Sequence, residues 1–184
     1  MKHLNWRSVY GYYALFLLSL GRYLAPVFGL TRWHFRFVVR QIRRTGLFDA
    51  TYYSECFPEF NGSAYECLMH FVVSGDKQGQ HPSFLFDPDY YRAEAAHTPF
   101  ASTCNSVLHY ALVGRYFGIS PSTHFDINYY LARNADVAAE RMDPFLHFLR
   151  FGGKEGRNPS REFSSSQYLN EHPDAVHRGI NPLI

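Results

Sequence analysis

A chain of 184 residues, 46% of them hydrophobic, has the length of one domain and the apolar content for a packed core, which excludes a disordered polymer. Three irregularly spaced cysteines, Cys56, Cys67 and Cys104, exclude a disulfide framework and fit free thiols in a reducing compartment. The net charge of +2 hides a division: eight basic and no acidic residues through Phe48, then ten basic and sixteen acidic, which disfavours nucleic acid and turns the basic head toward anionic lipid.

Residues 9–30, VYGYYALFLLSLGRYLAPVFGL, are apolar enough and long enough to cross a bilayer. Arg22 would cost at least ~2.5 kcal/mol inside it and Pro26 interrupts it, so a bent or interfacial segment is expected. Residues 31–45, TRWHFRFVVRQIRRT, follow. Arg32, Arg36, Arg40 and Arg43 or Arg44 recur at helical spacing on one face, while Trp33, Phe37, Val38 and Ile42 fall on another. This pattern predicts a basic amphipathic helix, stopped by Gly46. Each arginine near an anionic leaflet is worth ~1 kcal/mol, so Arg32, Trp33, Arg36, Phe37, Arg40, Arg43 and Arg44 are the expected membrane-binding residues. If the apolar segment spans, five arginines after it against Lys2 and Arg7 before it place the body in the cytoplasm. Residues 1–46 are thus expected to form a membrane-associating segment. Two other readings stand beside this one: a signal peptide ending near Ser19-Leu20-Gly21, and a core helix docked on the body with its arginines facing water.

Residues 47–184 carry an internal periodicity. Phe-Asp precedes paired tyrosines at Phe48-Asp49 with Tyr52-Tyr53, Phe86-Asp87 with Tyr90-Tyr91, and Phe125-Asp126 with Tyr129-Tyr130. Phe163-Ser164 with Tyr168 is a degenerate fourth copy. His70, His109 and His147 are each followed by an aromatic residue. Five residues beyond each histidine stands a glycine (Gly75, Gly114, Gly152), and seven beyond each glycine a proline (Pro82, Pro121, Pro159). Asp87-Pro88 and Asp143-Pro144 are helix caps with proline at the first helical position, and Asn105 is a third cap. The expected fold is all-α: short-helix, solenoid-like tandem repeats with copies starting near 48, 86, 125 and 163. Tyr52, Tyr53, His70, Tyr90, Tyr91, His109, Tyr129, Tyr130 and His147 are its structural positions. Asn181-Pro182-Leu183-Ile184 matches the start of the helix at Asp143, so the fourth copy reads as truncated and the sequence as the N-terminal part of a longer protein.

The third copy, Phe125-Asp126, Tyr129-Tyr130-Leu131, Asn134-Ala135-Asp136-Val137, Pro144, His147-Phe148-Leu149, Gly152, Glu155-Gly156-Arg157 and Pro159, resembles a repeat of bacterial cell-envelope proteins. It is most similar to the N-terminal repeats of surface-polysaccharide glycosyltransferases and rhamnan-synthesis F-type proteins. The resemblance covers about three quarters of the chain; the first two copies lack the Glu-Gly-Arg. It implies a noncatalytic module anchored at the cytoplasmic face of the bacterial inner membrane, docking a glycosyltransferase domain in cis or in trans. Similar repeats in secreted proteins imply an alternative, a secreted or surface structural protein; a third is an enzyme fragment of a glycosyltransferase.

Against catalysis stands the chemistry of the residues themselves. Asp87-Pro88-Asp89 has the form that binds metal-nucleotide in many glycosyltransferases, yet Asp87 is a recurring cap. One histidine per copy reads as structural rather than as a base or metal ligand. No acidic run has the density that calcium needs, and no phosphate loop or Ser-His-Asp order is present, so neither cofactor nor metal is expected.

Overall fold

The computed structural model describes residues 31–184 apart from Asn61 and Arg141, with the backbone alone for 31–34. The apolar stretch 9–30 and the side chains of Arg32 and Trp33 lie outside the described residues. What is described is all-α, and extended pairing is limited to the isolated bridges Ser83–Phe86 and Ser122–Phe125. The chain divides into two compact units, Met1–Pro121 and Ser122–Ile184.

The first unit holds α1 (Thr31–Thr45), α2 (Ala50–Cys56), α3 (Ala64–Val73), α4 (Pro88–Ala95) and α5 (Ser106–Leu112), with short 3-10 turns at Pro58–Phe60, Gly75–Gln78 and Gly114–Tyr116. The second holds α6 (Ile127–Arg133), α7 (Ala135–Ala139), α8 (Pro144–His147), α9 (Ser165–Glu171) and α10 (Pro173–His177). Here α8 runs straight into a turn of π-helix, Phe148–Gly152.

Local chemistry sets the helix starts. Asp49, Asp87 and Asp126 have extended backbones, and each carboxylate accepts from amides of the first turn of α2, α4 or α6. Ser63 and Glu66 form a reciprocal capping box on α3, and Asn105 and Asp143 cap α5 and α8. Each cap is worth about 1 kcal/mol. The same aspartates also close a loop. The amide of Asp49 donates to the Pro82 carbonyl at 2.9 Å, Asp87 to Pro121 at 3.1 Å, and Asp126 to Pro159 at 3.0 Å.

Inside each closed stretch the core is a trio of rings. Phe48, Tyr53 and Phe71 form the first, Phe86, Tyr91 and Tyr110 the second, and Phe125, Tyr130 and Phe148 the third. In all three the second tyrosine meets its helix partner edge-on, with centroids 6.0, 5.9 and 5.9 Å apart. Edge-to-face contact puts the positive ring rim on the negative ring face, which adds about 1 kcal/mol to the burial itself.

Helix α1 lies against α3 and α5. Val38, Val39 and Ile42 form its buried stripe, continued by Leu47 after the turn. Gly46 adopts a left-handed conformation, φ 69°, and the Thr45 hydroxyl donates to the Ile42 carbonyl at 2.6 Å, so the helix stops where the glycine predicts. Against the expected face, the stripe gains Val39 and lacks Phe37. Phe37 remains 38% exposed, because the stripe centred on Val38, Val39 and Ile42 leaves it on the flank.

Candidate functional site

Arg36, Arg40, Arg43 and Arg44 are all exposed on α1, opposite the stripe that packs on α3 and α5. None has an ion-pair partner among the described residues. Arg43 and Arg44 stand in the last turn, where the helix dipole favours cations. The result is a basic face on a helix whose apolar side is already in use. Of the seven residues expected to contact membrane, these four and Phe37 are on the surface; Arg32 and Trp33 have only backbone described.

The repeated histidines have a different role. Tyr53 Oη lies 2.8 Å from His70 Nδ1, Tyr91 Oη 2.6 Å from His109 Nδ1, and Tyr130 Oη 2.8 Å from His147 Nδ1. At His109 the proton positions follow from the partners. Its Nε2 lies 2.9 Å from the Pro99 carbonyl and must donate, so Nδ1 accepts from the Tyr91 hydroxyl. At His70 the sense reverses, because the Tyr53 hydroxyl donates to Gln80 Oε1 and therefore receives from Nδ1. Burial holds all three imidazoles below their ordinary pKa and lifts all three tyrosines above theirs. These are neutral, mutually satisfied pairs.

The glycines complete the arrangement. A Cβ on Gly75, Gly114 or Gly152 would collide with the hydroxyl of Tyr53, Tyr91 or Tyr130 respectively. Tyrosine, histidine and glycine are thus three sides of one contact. The paired tyrosines therefore divide: Tyr53, Tyr91 and Tyr130 are fully buried, while Tyr52, Tyr90 and Tyr129 are half-buried.

Asp87 caps α4 through bonds of 3.0 and 2.9 Å from the amides of Asp89 and Tyr90, and Asp89 is exposed beside Arg92. Their division of labour is that of a cap and a surface charge. Among the described residues, no group of three or more His, Cys, Asp or Glu side chains is placed to hold a metal. No helix among them is long and apolar enough to cross a membrane.

Two polar clusters escape sequence reasoning. Asp76 is buried, pairs with Arg92 at 2.6 Å, and takes the amide and hydroxyl of Ser106, tying the turn after α3 to α4 and to the start of α5. Burial raises the Asp76 carboxyl against the pull of Arg92 and Ser106. In the second unit Arg157 bonds Asp136 at 2.8 Å, Glu155 at 2.7 Å and Asn134 at 3.1 Å. This accounts for the Glu-Gly-Arg tripeptide: Arg157 serves the Asp136 carboxylate of α7. Five residues beyond Gly75 and Gly114 stand Gln80 and Ile119 instead, the first turned onto Tyr53 and the second buried. A signal for this pairing was present, since Asp136-Val137 and Arg157 occur together in the third copy alone. Asp76, Arg92 and Ser106 carry no such signal, being joined only by the fold.

Compared with protein-family models, with curated proteins and with solved structures, the chain has no match in any of the three.

Proposed function

We propose that this chain is a noncatalytic, tandem-repeat docking module held at an anionic membrane surface by its basic N-terminal segment. Its partner would be a glycosyltransferase domain of bacterial surface-polysaccharide assembly, in cis or in trans, at the cytoplasmic face of the inner membrane. The observation that carries the membrane part is the exposure of Arg36, Arg40, Arg43 and Arg44 on a helix whose Val38, Val39 and Ile42 pack inward. With its apolar stripe committed to α3 and α5, this helix meets lipid headgroups through charge rather than by insertion. The apolar sequence of residues 9–30 is the second expected contact with lipid. The tandem reading is supported by the three Tyr–His–Gly contacts, which share one geometry. The polysaccharide partner rests on the resemblance of the third copy.

Vesicle sedimentation tests the membrane part. Changing Arg36, Arg40, Arg43 and Arg44 together to Gln should weaken binding to phosphatidylglycerol-containing vesicles by about 1 kcal/mol per residue at low salt. The parent should bind less as salt shortens the screening length toward about 8 Å. Equal sedimentation of the two proteins at every salt concentration would overturn the electrostatic reading. Co-purification of a glycosyltransferase with the chain from its native membrane tests the partner.

A further inference from the structure

Phe163 and Tyr168 stand where Phe125 and Tyr130 stand one motif earlier, yet their surroundings differ. Phe125 and Tyr130 are 0% exposed beneath Phe148, and the Tyr130 hydroxyl is held by His147. Phe163 and Tyr168 are only half-buried, with ring centroids 6.2 Å apart against 5.2 Å for the earlier pair. The Tyr168 ring rests on His172 at 4.4 Å, and its hydroxyl has no hydrogen-bond partner among the described residues. We propose that Phe163 and Tyr168 form a docking surface for a partner helix that carries a histidine followed by an aromatic residue, with a glycine five residues beyond the histidine.

The occupant is specified by what the chain already does. At three places a Phe–Tyr pair is covered by a helix of this kind. Histidine takes the tyrosine hydroxyl, the next aromatic closes the ring trio, and the glycine admits the hydroxyl oxygen. The neighbouring backbone fits the same template. Asn181 donates to the Phe148 carbonyl at 3.0 Å and accepts from the Leu183 amide at 3.0 Å, the same side-chain-to-amide contact by which Asp143 caps α8. In α8 that cap stands four residues before the histidine that meets Tyr130. The inference rests on the tandem-repeat reading and is independent of the arginine face.

A synthetic peptide of residues 143–158 of this chain is the probe, with its binding to the whole protein followed by fluorescence anisotropy. Saturable binding is expected. Replacing His147 by Ala in the peptide, or Tyr168→Phe in the protein, should each weaken binding about tenfold, and the two together no further than either alone. Tyr168→Phe removes an unpartnered hydroxyl, so the fold is retained. A peptide of residues 126–140, which lacks the histidine, should not bind. The quadruple Arg→Gln protein should bind the probe as the parent does, which separates this result from the vesicle experiment. Lack of saturation, or binding indifferent to His147 and Tyr168, overturns the proposal. Self-association of the protein that Tyr168→Phe abolishes and the peptide fails to compete for would assign the surface to a second copy instead, and also overturns it.

Discussion

The contact between Tyr130, His147 and Gly152 can be dissected one atom group at a time. Tyr130→Phe strips a buried imidazole nitrogen of its partner and should cost about 1–2 kcal/mol. Gly152→Ala drives a methyl into the Tyr130 hydroxyl and should cost about 1–3 kcal/mol. In the double variant the methyl occupies the space the hydroxyl left, so the combined loss should fall short of the sum by about 1 kcal/mol or more. Urea denaturation of the four proteins measures it, and strict additivity would separate the glycine from the tyrosine. The same contacts set a pH dependence. Burial depresses His70, His109 and His147 in the folded chain, so the unfolded chain binds protons first as pH falls through about 6.5. Stability should therefore drop between neutrality and mildly acid pH. At the alkaline end Tyr53, Tyr91 and Tyr130, all raised, should cost stability above about pH 10, where the unfolded tyrosines ionise. Asp76, raised by burial, acts the other way at lower pH, because the folded chain takes up its proton first. Thermal melts across this range show whether the decline begins near the histidine value.

Among the elements, the helix starts were legible because their chemistry is local. Asp, Ser or Asn followed by a helical run identifies a cap without knowledge of the rest of the chain. Substitution separates cap from metal ligand at Asp87-Pro88-Asp89: Asp87→Ala should cost about 1 kcal/mol, Asp87→Asn much less, and Asp89→Ala close to nothing. A strong loss at Asp89 would reopen the metal reading. What resisted reading was whatever packing decides. The 3.6-residue period over Val38 and Ile42 foretells an apolar face on α1, but a lipid bilayer and the flanks of α3 and α5 ask for the same pattern. The π turn at Phe148–Gly152 had no mark in the sequence to set it apart from a turn of α-helix. The histidine spacing was visible as a rhythm. That its partner is the second tyrosine of the preceding pair was not, because the two meet across 17 or 18 residues of chain.

At the scale of the whole molecule, charge and connectivity say different things. The contrast between a basic head and an acidic body was plain from composition, and α1 carries the exposed part of it as a fixed surface. The connectivity is carried by the three bonds from Asp49 to Pro82, Asp87 to Pro121 and Asp126 to Pro159. The stretches they enclose follow one another along the chain and never interleave. Pulled from its two ends, such a chain is loaded in series, but the first two stretches are joined by Asp76 with Arg92 and Ser106 and by α1 packed on both, so those two should yield together. Drawn out by an atomic-force or optical-trap instrument, the protein should give way in separate steps. The stretch from Asp126 to Pro159 should release about 11 nm of contour length at ~3.5 Å per residue, and the joined stretches from Asp49 to Pro121 about 25 nm. A single rip releasing everything at once would mean that the links share load instead. In the membrane-docking role we propose, stepwise yielding would let the tether lengthen under strain and re-form part by part when the strain passes.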